Sequence, residues 1–310
     1  MRLLGEAVTE AEVECFRLRT EGVTVSRRSE HYSGQPHVRA SSRLARAVLG
    51  PAVRRLRREA QWRSRELDYD VGRQDAPFHF TVAGHETPLF RPLSGLDERL
   101  QQNKVVNLQL AAARLDGVVL LPGQRLSLWR EVGKPTYRRG FLDGMVLTHG
   151  TITEGVGGGL CQMSNLLYWM TLHTPLAVVE RWRHSYDVFP DADRTQPFGS
   201  GATVAWPALD LQIENPTSAA YRLSVAISGA HLAGSWTATE PVFVEYAIEE
   251  RAHEIVHEAP GAYVRCNELW RVERDLLAGT TDERLVAKNR ALMTYQPFLP
   301  AGSHDAAVLG

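Results

Sequence analysis

Gly155-Val156-Gly157-Gly158-Gly159 is the stretch that most restricts the fold. Without Cβ atoms, its glycines let a substrate backbone approach closely. Residues 160–172 then have the composition and length of a helix. The spacing predicts a glycine turn feeding a helix, with Cys161 and Gln162 in its first turn. There, unpaired N–H groups and roughly half a positive charge of helix dipole favour an anion. The expectation is a thiol whose pKa falls below the free value of about 8.5. Amides of Gly157, Gly158, Gly159 and Gln162 are expected to form the oxyanion and substrate loop.

A cysteine at a helix start is more often a small core residue than a nucleophile, so the histidines carry the argument. Residues 176–182 read as a strand ending just before His184, and a helix lying on a sheet brings that imidazole to Cys161. Asp187, Asp191, Asp193 and Asp210 are candidates to orient the ring, and spacing does not choose among them. His149, in a His-Gly turn ahead of the glycines, is the second-choice base. His173 ends the cysteine helix about 18 Å along its axis, which makes it a poor partner. No metal or cofactor is expected. The chain has no Cys-x-x-Cys, and its glycines lack both the Gly-Lys-Ser/Thr ending of a P-loop and a dinucleotide-binding frame.

The wider pattern reads as α+β, a cysteine-bearing helix packed on a largely antiparallel sheet with a helical basic N-terminal extension. Expected units are an N-terminal segment 1–38, an Arg-rich helical segment 39–75, a connecting segment 76–101, a core domain 102–240 and a C-terminal extension 241–310. A short helix is expected over 10–19, and a helix over 41–66 broken at Gly50-Pro51, with a thin stripe of Leu44, Val48, Val53, Leu56 and Trp62. Asn103 is the expected N-cap of a helix ending at Gly117. A hairpin is expected around His149-Gly150, an antiparallel meander over 203–238, and a charged helix over 282–293.

Charge is balanced overall, with 35 basic against 36 acidic residues, so no nucleic-acid partner is expected. Locally it is not. Nine arginines lie between Arg39 and Arg65 against the single acid Glu59. Each is worth on the order of 1 kcal/mol beside an anionic bilayer, so this stretch is a candidate for peripheral membrane contact. A solvated helix, or a docking surface for the acidic remainder, is the competing reading. The three cysteines, Cys15, Cys161 and Cys266, cannot all pair within one chain. No run reaches the roughly 18 apolar residues of a membrane span, and the N-terminus shows no signal peptide. The expected location is cytoplasmic, at most at the inner membrane face.

Several motifs together resemble the VanW family. They are Asn103-Lys104-Val105-Val106-Asn107-Leu108, Leu121-Pro122-Gly123-Gln124, Val132-Gly133-Lys134-Pro135-Thr136 and Gly157-Gly158-Gly159-Leu160-Cys161-Gln162-Met163-Ser164-Asn165. Val179-Glu180-Arg181 with His184-Ser185, and Pro197-Phe198-Gly199-Ser200-Gly201-Ala202, belong to the same set. With Asn267-Glu268-Leu269-Trp270 and the basic segment, the chain resembles the short, stand-alone form found beside vancomycin-resistance genes. Larger secreted proteins with a similar domain are L,D-transpeptidase-like and cross-link peptidoglycan stem peptides. The resemblance implies that Cys161 is the acyl-accepting nucleophile and His184 its base. There is one departure. Where the larger proteins read Gly-Arg-Asp-Ala-Thr-Val, this chain reads Gly199-Ser200-Gly201-Ala202-Thr203-Val204, without the aspartate.

These readings converge on cysteine-dependent acyl transfer from a peptide or cell-wall precursor, through a thioester on Cys161. The alternative is a non-catalytic protein that binds such a precursor, or a protein partner, with the same loop.

Overall fold

The computed structural model describes residues 40–90, 97–148, 150–183, 185–188, 196–259 and 261–295. The helix expected over 10–19, and Cys15, His149, His184, Asp191 and Asp193, lie outside them.

Helix α1 (Ala40–Trp62) continues through Pro51, where a break was expected. Proline removes one N–H from the ladder, and the second half of the helix is held by tertiary contacts. Of the expected apolar stripe, Trp62 makes such a contact, whereas Val53 and Leu56 are 41% and 65% exposed. Arg58 is instead buried, and Trp62 packs against Trp206 with ring centroids 5.7 Å apart.

Strand β1 (Phe80–Pro88) precedes helix α2 (Glu98–Leu115). Asp97, not Asn103, caps α2, its carboxylate accepting from the Arg99 N–H. An acidic cap followed by Glu98 suits the helix dipole, so α2 starts more than a turn ahead of the expected position. Two short strands, β2 (Val119–Leu120) and β3 (Arg125–Ser127), lead into helix α3 (Leu128–Val132), capped by the Ser127 hydroxyl. The expected hairpin is present as β4 (Asp143–Thr148) and β5 (Thr151–Val156), paired from Asp143 with Val156 to Thr148 with Thr151. Helix α4 (Cys161–Leu172) follows, then β6 (Ala177–Glu180) and β7 (Tyr186–Asp187). The remaining strands are β8 (Gln212–Glu214), β9 (Tyr221–Ser228), β10 (His231–Ala238), β11 (Val244–Ala259), β12 (Ala262–Asp275) and β13 (Thr281–Met293).

Most strand pairs are antiparallel. One sheet runs β1-β10-β9-β2, a second β3-β8-β6, and a third β11-β12-β13-β7, in which only the β13–β7 pair is parallel. The expected meander is therefore split, with β9 and β10 paired and β8 in another sheet. Asn215 makes the division. Fully buried, it donates to the carbonyls of Leu120 and Ala219 and turns the chain from one sheet to the next. The helix expected over 282–293 is strand β13. Its second half alternates, with Asn289, Ala291 and Met293 buried, and pairing with β12 overrides its helix-like composition.

Helix α4 lies on the first sheet. Met163, Leu166, Leu167 and Met170 are all at most 1% exposed. A Cβ on Gly234 of β10 would meet Met170 Cε at 2.9 Å and Leu166 Cδ2 at 3.2 Å, so glycine there admits the helix. Leu108 and Leu115 of α2 are fully buried in the same core. Burying side chains of this size stabilises by about 1.5–3 kcal/mol each. No described helix is long and apolar enough to cross a membrane.

Candidate functional site

The glycine loop is held from several sides before it delivers Cys161 to α4. Gly157 and Gly159 have φ of 77° and 91°, in the left-handed region that favours glycine. Gly158 touches Gly144 of β4 backbone to backbone, and a Cβ at 158 would stand 2.2 Å from the Gly144 carbonyl carbon. A Cβ on Gly159 would stand 2.2 Å from Lys104 Cγ. Asn107 of α2 completes the clamp. Its amide donates to the carbonyls of Leu142 and Gly158, each at 2.9 Å, and its oxygen accepts the Leu142 N–H at 2.8 Å. Asn103 donates to the Asp143 carbonyl at 2.7 Å, and Lys104 to that of Leu89.

Each amide expected to hold an oxyanion has a main-chain acceptor in this conformation. The N–H groups of Gly157, Gly158, Gly159 and Gln162 donate to Leu142, Gly155, Met145 and Gly159, at 2.9, 3.0, 2.9 and 3.0 Å. The Gln162 side chain points the other way, donating to Thr87 Oγ1 and the Pro88 carbonyl at the end of β1, both at 2.9 Å.

Cys161 is half-buried, and its Sγ donates to the Val204 carbonyl at 3.8 Å. Burial pushes the thiol pKa up, opposite to the expectation from the helix terminus. Main-chain hydrogen bonding at Val204 and at Cys161 itself opposes this without overcoming it. Withdrawing an anion from water outweighs about half a charge of helix dipole.

The next residues on that face of α4 fasten the segment opposite. Ser164 donates to the Ala202 carbonyl at 2.6 Å, and Asn165 Oδ1 accepts the Ala202 N–H at 2.7 Å. A Cβ on Gly201 would meet Asn165 Oδ1 at 2.8 Å, so Asn165 crowds the position where an aspartate is missing. From the strand side, the Trp182 carbonyl accepts the Thr203 N–H at 2.7 Å.

Arg181, just after β6, donates to the same segment. Its Nε reaches the Gly201 carbonyl at 2.9 Å, while Nη2 reaches that carbonyl at 2.7 Å and that of Gly199. The guanidinium carbon lies 4.8 Å from the Tyr168 ring centroid, on α4. Burial lowers its pKa, and among the described residues no carboxylate pairs with it. From sequence, Ser164, Asn165 and Arg181 stand in the quoted motifs without an assigned role, and Tyr168 is not singled out. Ser164, Asn165 and Tyr168 fall at spacings of three, four and seven from Cys161, which places them on one helix face and was the available signal.

The two described candidate acids are engaged elsewhere. Asp187 accepts from the Tyr295 hydroxyl at 2.8 Å and faces Arg265 Nη1 at 3.3 Å, against the third sheet. Asp210, fully buried, accepts from Ser127 at 2.5 Å and from the Trp129 N–H at 3.1 Å, with Arg58 Nη1 at 3.8 Å. Burial pushes its pKa up to about 6, with Arg58 opposing the rise and Glu180 adding to it. Asp210 thus belongs to the anchor of α1. His173 Nδ1 donates to the Trp169 carbonyl, 2.9 Å away, at the far end of α4. A groove of about 550 Å³ opens there, lined by Gly84, Trp169, Met170, His173, Tyr246 and Arg274, and it does not include Cys161. No group of three or more His, Cys, Asp or Glu among the described residues is placed to hold a metal ion.

The residues that build this site fall inside a recognisable family segment. Residues 103–237 match the family model described as VanW like protein. Over 211 residues the chain is 34% identical to the Vancomycin B-type resistance protein VanW of Enterococcus faecalis, covering 67% of this chain and 75% of that protein. Over 133 residues it is 30% identical to the uncharacterized protein YoaR of Bacillus subtilis, covering 43% of this chain and 41% of that protein. No solved structure matches. With identity and coverage of this extent, running through the glycine loop, the cysteine helix and the segment packed against it, the chain belongs to the VanW family.

Proposed function

We propose that the chain is a cysteine-dependent acyl-transfer enzyme acting on a peptide, with a peptidoglycan stem peptide as the substrate class. The observation that carries this reading is a half-buried thiol at the first residue of α4, between a rigidly clamped glycine loop and the 199–204 segment. The similarity to a protein named for vancomycin resistance supports a cell-wall context.

In this reaction the Cys161 sulfur attacks a peptide carbonyl carbon. The S–C bond forms, the C–N bond breaks, and the thiol proton leaves on the amine. An acceptor amine then attacks the thioester, giving up a proton that returns to sulfur. Water in place of that amine gives hydrolysis. Burial disfavours the thiolate, so attack calls for a base, and His184 is assigned that role. Oxyanion donors come from the loop only if substrate binding displaces one of its main-chain acceptors.

Intact-mass analysis of the full chain incubated with a stem tetrapeptide tests the reading. An acyl adduct on the wild type that disappears in Cys161→Ala supports it. No adduct, or one that persists in Cys161→Ala, overturns it.

The second reading, a non-catalytic binder of the same precursor, is favoured by the upward shift of the thiol and by the internally satisfied loop amides. It is separated by peptide retention without any mass change.

A further inference from the structure

Arg181 is a charged group in need of a counterion. Its contacts are the neutral carbonyls of Gly199 and Gly201 and the face of Tyr168, and no carboxylate among the described residues neutralises it. Carbonyls and a π face orient a guanidinium but leave its full positive charge, and taking an uncompensated charge out of water is expensive. Its Nε–Nη2 edge is taken by those carbonyls, which leaves Nη1 as the donor for a charge-assisted contact to a carboxylate.

The surroundings are also incompletely satisfied. Ser200, between the two acceptor residues, has a buried hydroxyl with no partner among the described residues, and so does Thr203. Both flank Gly201 on the segment that also takes the Cys161 thiol at Val204. Gly201 and Val204 are separated by at most about 10 Å of extended chain. A peptide two to three residues long spans the same distance.

We propose that Arg181 is the carboxylate anchor of the site, taking a free carboxylate on a peptide whose carbonyl, two to three residues away, is presented to Cys161. The assignment rests on the reading of Cys161 as nucleophile for its purpose, while the binding itself requires no turnover. It makes the substrate class an anionic peptide.

The test is calorimetric titration of full-length Cys161→Ala with N-acetyl-L-lysyl-D-alanyl-D-alanine and with its C-terminal carboxamide. The two probes differ only in the terminal charge. The acid binds about tenfold or more tightly than the amide, as expected for a charge-assisted pair. Adding Arg181→Gln brings the two within about twofold, and Arg181→Lys keeps part of the preference. Equal binding of both probes, absence of binding by either, or an undiminished preference in a folded Arg181→Gln variant overturns the proposal. If Arg181→Gln does not fold, the acid-to-amide comparison in Cys161→Ala decides alone. Adduct formation by the wild type is scored separately. Loss of the adduct with the preference intact removes the nucleophile reading only, and the reverse removes the anchor only.

Discussion

Replacing Gly158 with alanine puts a methyl carbon 2.2 Å from the Gly144 carbonyl carbon. Both neighbours are backbone, so neither can rotate away, and the loop and the β4–β5 hairpin must separate. Gly158→Ala is expected to destabilise by about 3 kcal/mol, the upper range of overpacking, as read from the urea midpoint. Gly123 provides the contrast. It has φ of 77° but nothing within 4 Å of a Cβ, so Gly123→Ala is expected to lose only about 1–2 kcal/mol. At this scale the sequence identified the important glycines but not their packing against Gly144 and Lys104. Missing side-chain bulk and a free N–H are separate properties of glycine. Here the first admits Gly144 and Lys104, while each N–H goes to a main-chain carbonyl. Only tertiary coordinates distinguish those outcomes.

Helix α1 depends on one side chain. Arg58 grips Glu180 with two parallel hydrogen bonds, both 2.6 Å, and donates to the carbonyls of Pro207 and Ala208 at 3.1 and 2.9 Å. Arg58→Ala leaves Glu180 and Asp210 in the interior facing each other without a counterion. A loss of about 3–5 kcal/mol is expected, together with faster tryptic cleavage within α1. Arg57 is exposed, and Arg57→Ala is expected to stay within about 0.5 kcal/mol. An equal effect of the two substitutions would refute the anchor. Elements themselves were largely legible, because helical spacing marked α2, composition and length marked α4, and the His149-Gly150 turn marked the β4–β5 hairpin. Strand β13 was not. Its Asp282, Glu283, Arg284, Lys288 and Arg290 give a helix-like composition, and its strand state is imposed by pairing with β12 along most of its length. Nor did nine arginines in a row of turns reveal that one of them is buried.

For the molecule as a whole, Asp210 sets a pH dependence. Its folded pKa is pushed up to about 6, whereas an unfolded aspartate titrates near 3.9. As pH rises the unfolded chain loses this proton first. The contribution of Asp210 to stability is therefore full below about pH 4, falls up to about pH 6 and is level above it. Melting temperatures of wild type and Asp210→Asn measured from pH 4 to 6 should differ in slope, with the variant flatter. Parallel curves would assign the dependence to other groups. Sheet membership is the property at this scale that the sequence did not carry. Successive strands β8 and β9 read as neighbours, yet the buried side chain of Asn215 sends them to different sheets.

Glu180 and Arg181 are consecutive residues, and along an extended backbone consecutive side chains leave on opposite sides. One is gripped by α1, while the other reaches over Tyr168 toward the segment bearing the thiol's acceptor. The amino-terminal helix and the thiol-bearing site are thus held by adjacent residues at one strand end. Under the proposed carboxylate anchor, removal of that helix is expected to narrow the preference for the acid probe over the amide, read by the same calorimetric titration.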